Sequence, residues 1–318
     1  MDINLRKIAV IGCGAVGAAS AFSLMESGLY SEIVLVDVNR ERAQGEAMDI
    51  SHGTSLMTPM RIYAGSYEDI ADAAIIVVTA GAAQKPGETR LDLMHKNIAI
   101  FNSILKEIRR VEPKGVLLVI ANPVDILTYY AARMSGLPDN RVFGSGTVLD
   151  TARLRTLLGS KLNIDSRSVH AFVIGEHGDS EIVTWSHANI SGVPLPDFYA
   201  LRGMNMDDLQ KIEEEISNDV RNSAYEIIKR KGATCYGIGV SVRRICSAIV
   251  KDEKSILPVS TVLHGTYAIE GCALSVPAIV GKDGVEGLVP VAMSEAERID
   301  LLKSAKILKQ SMADISFA

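Results

Sequence analysis

Residues 12–17 read Gly-Cys-Gly-Ala-Val-Gly, between an apolar run at 7–11 and a helical pattern at 15–27. Nothing else in the chain limits its fold as tightly. A turn of this kind has to leave a strand and open a helix at once. Gly12 permits the tight turn, Gly14 lets a bound group approach the backbone, and Gly17 lets helix and strand pack closely. The same alternation then repeats. Short apolar, β-branched runs at 7–11, 32–37, 61–64, 74–79 and 115–120 predict strands, and 15–27, 40–56, 91–111 and 124–134 predict the helices between them. The strand runs are apolar almost throughout rather than alternating, which predicts a parallel sheet covered on both faces.

The expectation is therefore a doubly wound parallel sheet of the Rossmann type over residues 1–145, followed by a mixed α+β unit over 146–318. In that second part, 147–158 predicts a helix and 169–174 a strand leading into Gly-Glu-His-Gly-Asp-Ser at 175–180. Long helices are expected over 207–231 and 234–250. Strands at 256–265, 267–275 and 278–284 would form an antiparallel meander before a last helix at 294–314. No Pro/Ser-rich linker separates the parts, so they are expected to share an extended interface.

At 318 residues the chain can bury a large core without disulfides or metal. A net charge of −5 argues against nucleic acid or an anionic membrane as partner, so an anionic substrate would need a local arginine cluster. Cys13, Cys235, Cys246 and Cys272 are scattered and form no CxxC pair, as expected for reduced thiols in a cytoplasmic protein. The start does not read as a signal peptide, and the most apolar segment, 73–83, is too short to span a bilayer.

The glycine turn predicts a dinucleotide site. A helix N-terminus offers N–H groups and a positive dipole end to phosphates. Asp37 ends the next predicted strand 20 positions after Gly17. A carboxylate there accepts hydrogen bonds from ribose hydroxyls and repels a 2′-phosphate, so NAD is favoured over NADP.

Four further stretches supply chemistry. His177 stands between carboxylates and glycines in Gly-Glu-His-Gly-Asp-Ser and is suited to give or take a proton near neutral pH. No HxH or HExxH occurs and no second histidine lies two to four positions away, so no metal is expected. Asp150 and Arg153 are spaced i, i+3 and share a helix face; taken alone they also read as a surface ion pair. Asp150 would fix the tautomer of His177, and Arg153 would grip a substrate carboxylate. Gln84, Lys85 and Arg90 sit among glycines and a proline at 81–93, which reads as a loop delivering Arg90 to a carbonyl, or as a solvated charged loop. Asn122 follows a strand at the carboxyl edge of the sheet, where open α/β folds bind ligands. His52, His95, His187 and His264 read as structural or surface histidines. With NAD, this set describes hydride transfer to the carbonyl of a 2-oxo acid.

The stretches GCGAVG, VTAGAAQKPGETRLDL, ANPVDI, GSGTVLDTARLR, VIGEHGDS and KGATCYGIG occur in order over nearly the whole chain. Together they closely resemble the L-lactate dehydrogenases of the lactate/malate dehydrogenase superfamily. The resemblance implies a His177–Asp150 proton relay, carboxylate binding by Arg153, carbonyl polarisation by Arg90, and Asn122 and Thr234 beside the substrate. It also places NAD near Val16, Asp37, Arg42, Tyr67, Gly81, Ala82, Ser103, Asn122 and Ser145. Ala83 and Cys235 depart from the family's usual Asn and Tyr; Cys235 adjoins Thr234 and could alter that wall of the pocket. Malate enzymes carry an arginine where this chain has Gln84. A neutral Gln84 would leave a second carboxylate unpaired at a cost on the order of a few kcal/mol, so pyruvate, reduced to L-lactate, is expected over oxaloacetate. Arg155 and His170 match the residues that bind fructose 1,6-bisphosphate between subunits of the allosteric bacterial enzymes, which are homotetramers; they also read as ordinary surface cations. A malate or other 2-hydroxy-acid dehydrogenase is the nearest alternative. A non-catalytic NAD-binding protein is the alternative of another class, and it predicts loss of at least one of His177, Asp150, Arg153 and Arg90.

Overall fold

A computed structural model describes residues 3–82, 90–313 and 315, with Arg90 described by its backbone alone. The parallel half follows the expected order. Strands β1 (Asn4–Ile11), β2 (Glu32–Val36), β3 (Arg61–Ala64), β4 (Ala73–Val78) and β5 (Val116–Val119) alternate with helices α1 (Ala15–Glu26), α2 (Arg40–His52), α3 (Arg90–Val111) and α4 (Val124–Met134). A short strand β6 (Val142–Gly144), too brief to show a pattern in sequence, pairs parallel to β5. The order β6-β5-β4-β1-β2-β3 carries the crossovers of a doubly wound sheet.

Alternate residues of each strand feed opposite faces. Ala9 and Ile11 join a core with α3, α4 and the last helix, while Ile8 and Val10 join one with α1 and α2. Every residue of β4 is buried, as a sheet covered on both sides requires.

The second half begins with α5 (Val148–Leu162) and passes through five two-residue strands: β7 (Val169–His170), β8 (Val173–Ile174), β9 (Ile182–Val183), β10 (Asn189–Ile190) and β11 (Val193–Pro194). The expected single strand over 169–174 is thus two, in different small sheets. Helices α6 (Leu195–Leu201), α7 (Met206–Lys231) and α8 (Tyr236–Val250) follow, then β12 (Ser255–His264), β13 (Glu270–Gly281), β14 (Gly284–Leu288) and α9 (Glu295–Ser311). The meander differs from expectation: 270–281 is one strand, β13, where two were expected at 267–275 and 278–284. Within it Pro277 faces Pro258 across the ladder, so one rung rather than two lacks its N–H groups. The reversal comes at Lys282–Asp283, where Gly284 takes φ +90°. The three strands do not form a separate sheet either. β12 pairs with β6 at Ser260 and Gly144, giving a nine-stranded mixed sheet that runs through both halves. A third core, built by α5, α6 and α7 with β7 to β10, belongs to the second half alone.

Candidate active site

The glycine turn is built as its sequence requires. Gly12 has φ +98°, and a Cβ there would lie 2.5 Å from the backbone nitrogen of Ala80. A Cβ on Gly17 would lie 1.8 Å from the Gly12 carbonyl oxygen, so only glycine lets α1 sit this close to β1. Gly14 differs: beyond its chain neighbours, no atom of the described residues lies within 4 Å of its Cβ position. It caps α1, and no side chain satisfies that N-terminus among the described residues. The Asp37 carboxylate accepts from the backbone N–H of Cys13 at 2.6 Å and of Asn39 at 2.8 Å, which fixes it at the mouth of the turn. Thr79 locks the turn from β4's end by donating to the Gly12 carbonyl at 2.7 Å.

Gly12, Gly14, Asp37, Arg42, Tyr67, Gly81, Ala82 and Ser103 all line one cavity of about 690 Å³ at the carboxyl ends of the strands. Open space at Gly14, an uncapped helix N-terminus and an oriented carboxylate fit a dinucleotide: N–H groups for its phosphates, Asp37 for its ribose. Val16, Gly17, Asn122 and Ser145 stand outside that lining. Val16 packs half-buried against the core below, and the buried Ser145 donates its N–H to Val119. Asn122 is exposed at the end of β5; its carbonyl accepts from buried Asn97 at 2.7 Å, and Asn97 also accepts from Ala82 N–H at 2.7 Å. Asn97 thus braces both edges of the cleft, which its place in an amphipathic helix pattern did not reveal.

Asp150, Arg153 and His177 come together. Asp150 projects from the first turn of α5 and is 2 % exposed. Its Oδ2 meets the His177 Nδ1 at 2.6 Å, and its Oδ1 accepts from the Arg153 Nη1 at 2.7 Å. The Asp150–Arg153 pair is therefore a buried pair aimed at the histidine, not a surface one. Burial disfavours charge on His177, but the Asp150 carboxylate, with Asp125 and Glu181 further off, outweighs it and lifts the imidazole to about 9. Burial likewise works against the Asp150 carboxylate; the charges of His177 and Arg153 and their hydrogen bonds prevail and hold it below the usual range. The pair is an ionised carboxylate beside an imidazolium at neutral pH.

Glu181 is a third carboxyl here, 6 % exposed, and its Oε1 has no hydrogen-bond partner among the described residues. Burial first and the Asp150 charge second push it up to about 8, so it is a neutral acid at pH 7. Ligand-type atoms of Asp150, His177 and Glu181 lie within 4.8 Å of one another. The proton between Nδ1 and Oδ2 holds the lone pair a cation would need, and Arg153 adds positive charge to the same carboxylate. This donor set suits a proton.

The histidine loop is tied down residue by residue. Gly175 exchanges both backbone hydrogen bonds with Ser275 of β13. The Glu176 N–H donates to Ser304 of α9 at 2.9 Å, and the His177 N–H donates to Asp125 of α4 at 2.7 Å. Ser180 donates to Glu176 and contacts Ser304. Asp125 and Ser304 escaped the sequence reading. Asp125 lies within the Asn-Pro-Val-Asp stretch that drew attention to Asn122, and a buried acid in a helix's first turn was the available signal.

The other anticipated residues are placed as follows. Thr234 is half-buried in the segment between α7 and α8, next to buried Cys235. Arg155 donates to the carbonyl of Ala171 at 3.3 Å and lies over the Phe172 ring; His170 is exposed. Gln84 and the side chain of Arg90 lie outside the described residues. All four cysteines are free and buried. No helix among the described residues is long and apolar enough to cross a membrane.

A doubly wound half with a dinucleotide cleft, continued by a half that holds a buried acid–base pair, defines an NAD-dependent oxidoreductase. Known proteins agree. The family model for the lactate/malate dehydrogenase NAD binding domain matches residues 6–144, and that for the lactate/malate dehydrogenase alpha/beta C-terminal domain matches 147–317. The chain belongs to the lactate/malate dehydrogenase family. It is 48% identical to L-lactate dehydrogenase 1 of Clostridium acetobutylicum, over 97% of this chain and 98% of that one. It is 48% identical to an L-lactate dehydrogenase of Moorella thermoacetica, over 98% of each. A crystal structure of the minor L-lactate dehydrogenase of Enterococcus mundtii, in a ligands-bound form, superposes with a TM-score of 0.94 at 40% identity, over 98% of this chain and 99% of that one.

Proposed function

We propose that this chain is an NAD-dependent L-lactate dehydrogenase that interconverts pyruvate and L-lactate. The observation that carries the reading is the pairing of buried Asp150 with half-buried His177, with Arg153 on the same carboxylate, in a chain whose full-length relatives are L-lactate dehydrogenases. Bound NAD supplies or receives the hydride. Gly12, Gly14 and the N-terminus of α1 would hold its pyrophosphate, Gly17 keeping α1 close against β1, and Asp37 would hold its ribose, with Val16, Arg42, Tyr67, Gly81, Ala82, Ser103, Asn122 and Ser145 around it.

His177 gives the proton to the forming hydroxyl from Nε2, because Asp150 holds the ring by Nδ1. Asp150 offsets the imidazolium charge and sets the tautomer. Arg153 spends one of its five N–H groups on Asp150 and presents its remaining edge to a substrate carboxylate. Asn122 and Thr234 line the substrate. Arg90 meets the developing negative charge on the carbonyl oxygen. Neutral Gln84 suits a methyl group better than a second carboxylate, which favours pyruvate over oxaloacetate. In the reverse reaction neutral His177 takes the hydroxyl proton.

The division at 145/146 is supported by family models that part between 144 and 147. The match of Arg155 and His170 to the effector residues of the allosteric bacterial enzymes supports fructose 1,6-bisphosphate as an effector held between subunits of a homotetramer. The fold and charge suit a cytoplasmic enzyme.

The test is NADH oxidation at neutral pH with pyruvate and with oxaloacetate, each with and without fructose 1,6-bisphosphate. The expected result is a pyruvate preference of at least 100-fold, sharpened by the effector. An oxaloacetate preference would reassign the chain to malate, and no oxidation with either would leave it a binding protein.

A further inference from the structure

His177 is held at two places, and only one of them belongs to the acid–base pair. Asp150 holds its ring. Its main chain is held by Asp125, whose Oδ2 accepts the His177 N–H at 2.7 Å while Oδ1 accepts from the Ser260 hydroxyl at 2.6 Å. We propose that Asp125 is a positioning residue, which fixes the backbone of His177 so that the imidazole stands where proton transfer needs it. The proposal rests on the dehydrogenase reading and deepens it.

Three observations support it. First, Asp125 lies in the first turn of α4, where a carboxylate ordinarily serves its own helix. Here no side chain among the described residues caps that helix; both oxygens of Asp125 go elsewhere, to the histidine loop and to β12. Second, Asp125 is 3 % exposed. Burying a carboxylate is unfavourable, and a neutral amide would satisfy the same N–H. Burial pushes Asp125 up to about 6; the hydrogen bonds from Ser260 and His177 and the His177 charge pull it down, and the Glu176 charge raises it. It is thus mostly ionised at pH 7.5, where its charge acts on His177 together with that of Asp150. Cys272 also feels Asp125. Third, the stretch that carries Asn122 carries Asp125 three residues later, so the end of β5 meets both Asn97, which braces the cleft, and the backbone of His177. The side chain of His177 is still 26 % exposed. Packing alone therefore does not fix it, and displacements of about 1 Å in a reacting group can cost about 100-fold in rate.

The test compares Asp125→Ala, Asp125→Asn and Ser260→Ala with the unaltered chain. Readouts are kcat and KM for pyruvate at saturating NADH, the NADH dissociation constant, and the His177 titration midpoint by NMR without substrate. Asp125→Ala is expected to lower kcat about 10- to 100-fold, with the NADH constant unchanged within about twofold. Asp125→Asn, which keeps an acceptor for the N–H, is expected to recover most of that kcat. Both should lower the His177 midpoint, because both remove a negative charge. If Asp125→Ala does not fold, Ser260→Ala takes its place: freeing one oxygen should lower kcat severalfold and spare NADH binding. Unaltered kcat in Asp125→Ala overturns the proposal. So does a loss in Asp125→Asn equal to that in Asp125→Ala, or a parallel fall of kcat, NADH affinity and melting temperature. An unaltered chain that fails to turn over pyruvate, while the His177 midpoint still responds to Asp125, would sink the dehydrogenase reading and not the link between these two residues.

Discussion

At the scale of single residues, the His177 imidazole governs how the chemistry responds to pH. Its midpoint is raised to about 9, against burial, chiefly by the Asp150 carboxylate 2.6 Å away. Pyruvate reduction needs the protonated ring. Its kcat/KM should stay level from about pH 6 to 8 and fall about tenfold per unit above 9. Lactate oxidation needs the neutral ring and should rise through the same range. Asp150→Asn removes the charge and returns the midpoint toward the ordinary histidine value of about 6.5. The protonated fraction at pH 8 then drops by more than tenfold, and the reduction limb moves down by about two units. Stopped-flow or steady-state rates from pH 5.5 to 10 would check this; a reduction limb near 6.5 in the unaltered chain would mean that Asp150 does not govern His177. The pairing of Asp150 with Arg153 was legible because an i, i+3 spacing fixes a helix face. The bond from His177 to Asp125 spans 52 residues and that from Glu176 to Ser304 spans 128. No local pattern announces a contact whose partners are brought together only by the packing of α4 and α9 against one loop.

At the scale of elements, the glycine turn separates folding from binding. Gly17→Ala drives a Cβ into the Gly12 carbonyl, so α1 has to move off β1. Melting temperature and NADH affinity should fall together. Gly14→Ala meets no atom of the described residues beyond its chain neighbours, and Gly14 already has φ −70°, which alanine accepts. Its methyl group enters only the space left open for the pyrophosphate. The melting temperature should stay within about 1–2 °C, and NADH should bind at least tenfold more weakly. NADH fluorescence titration with thermal melts of both variants tests this, and equal affinity in Gly14→Ala and the unaltered chain would remove the phosphates from this turn. The elements of the parallel half were readable for the reason that the turn is: continuous apolar strands and glycines with fixed tasks leave few alternatives. β7 to β11 have two residues each, too few for any periodicity, and their placement comes from the loop contacts around them. β13 runs unbroken through Pro277, since a proline opposite a proline loses no additional rung.

At the scale of the whole molecule, the sheet decides how the halves behave. β12 to β14 extend the sheet of the first half, and two of the three cores draw residues from both. Leu301 and Val262 stand in one core with Ile76, and Val259 and Ile245 in the other with Ile8. The third core, against which Trp185 packs, contains residues of the second half only. Trp185 is the chain's single tryptophan, so its fluorescence reports the part of the molecule most able to unfold separately. The cleft assigned to NADH is lined from Ile11 to Glu107. If the shared sheet and cores couple the halves, NADH bound in the first must stabilise the second equally. At 100 times its dissociation constant the ligand adds about 2.7 kcal/mol, which for a chain of this size raises the midpoint by about 4 °C. The Trp185 transition and the far-UV circular dichroism transition should coincide without NADH and rise together with it. A Trp185 midpoint that ignores NADH would mean that the histidine loop, though tied to α4, β13 and α9, belongs to a unit that melts alone.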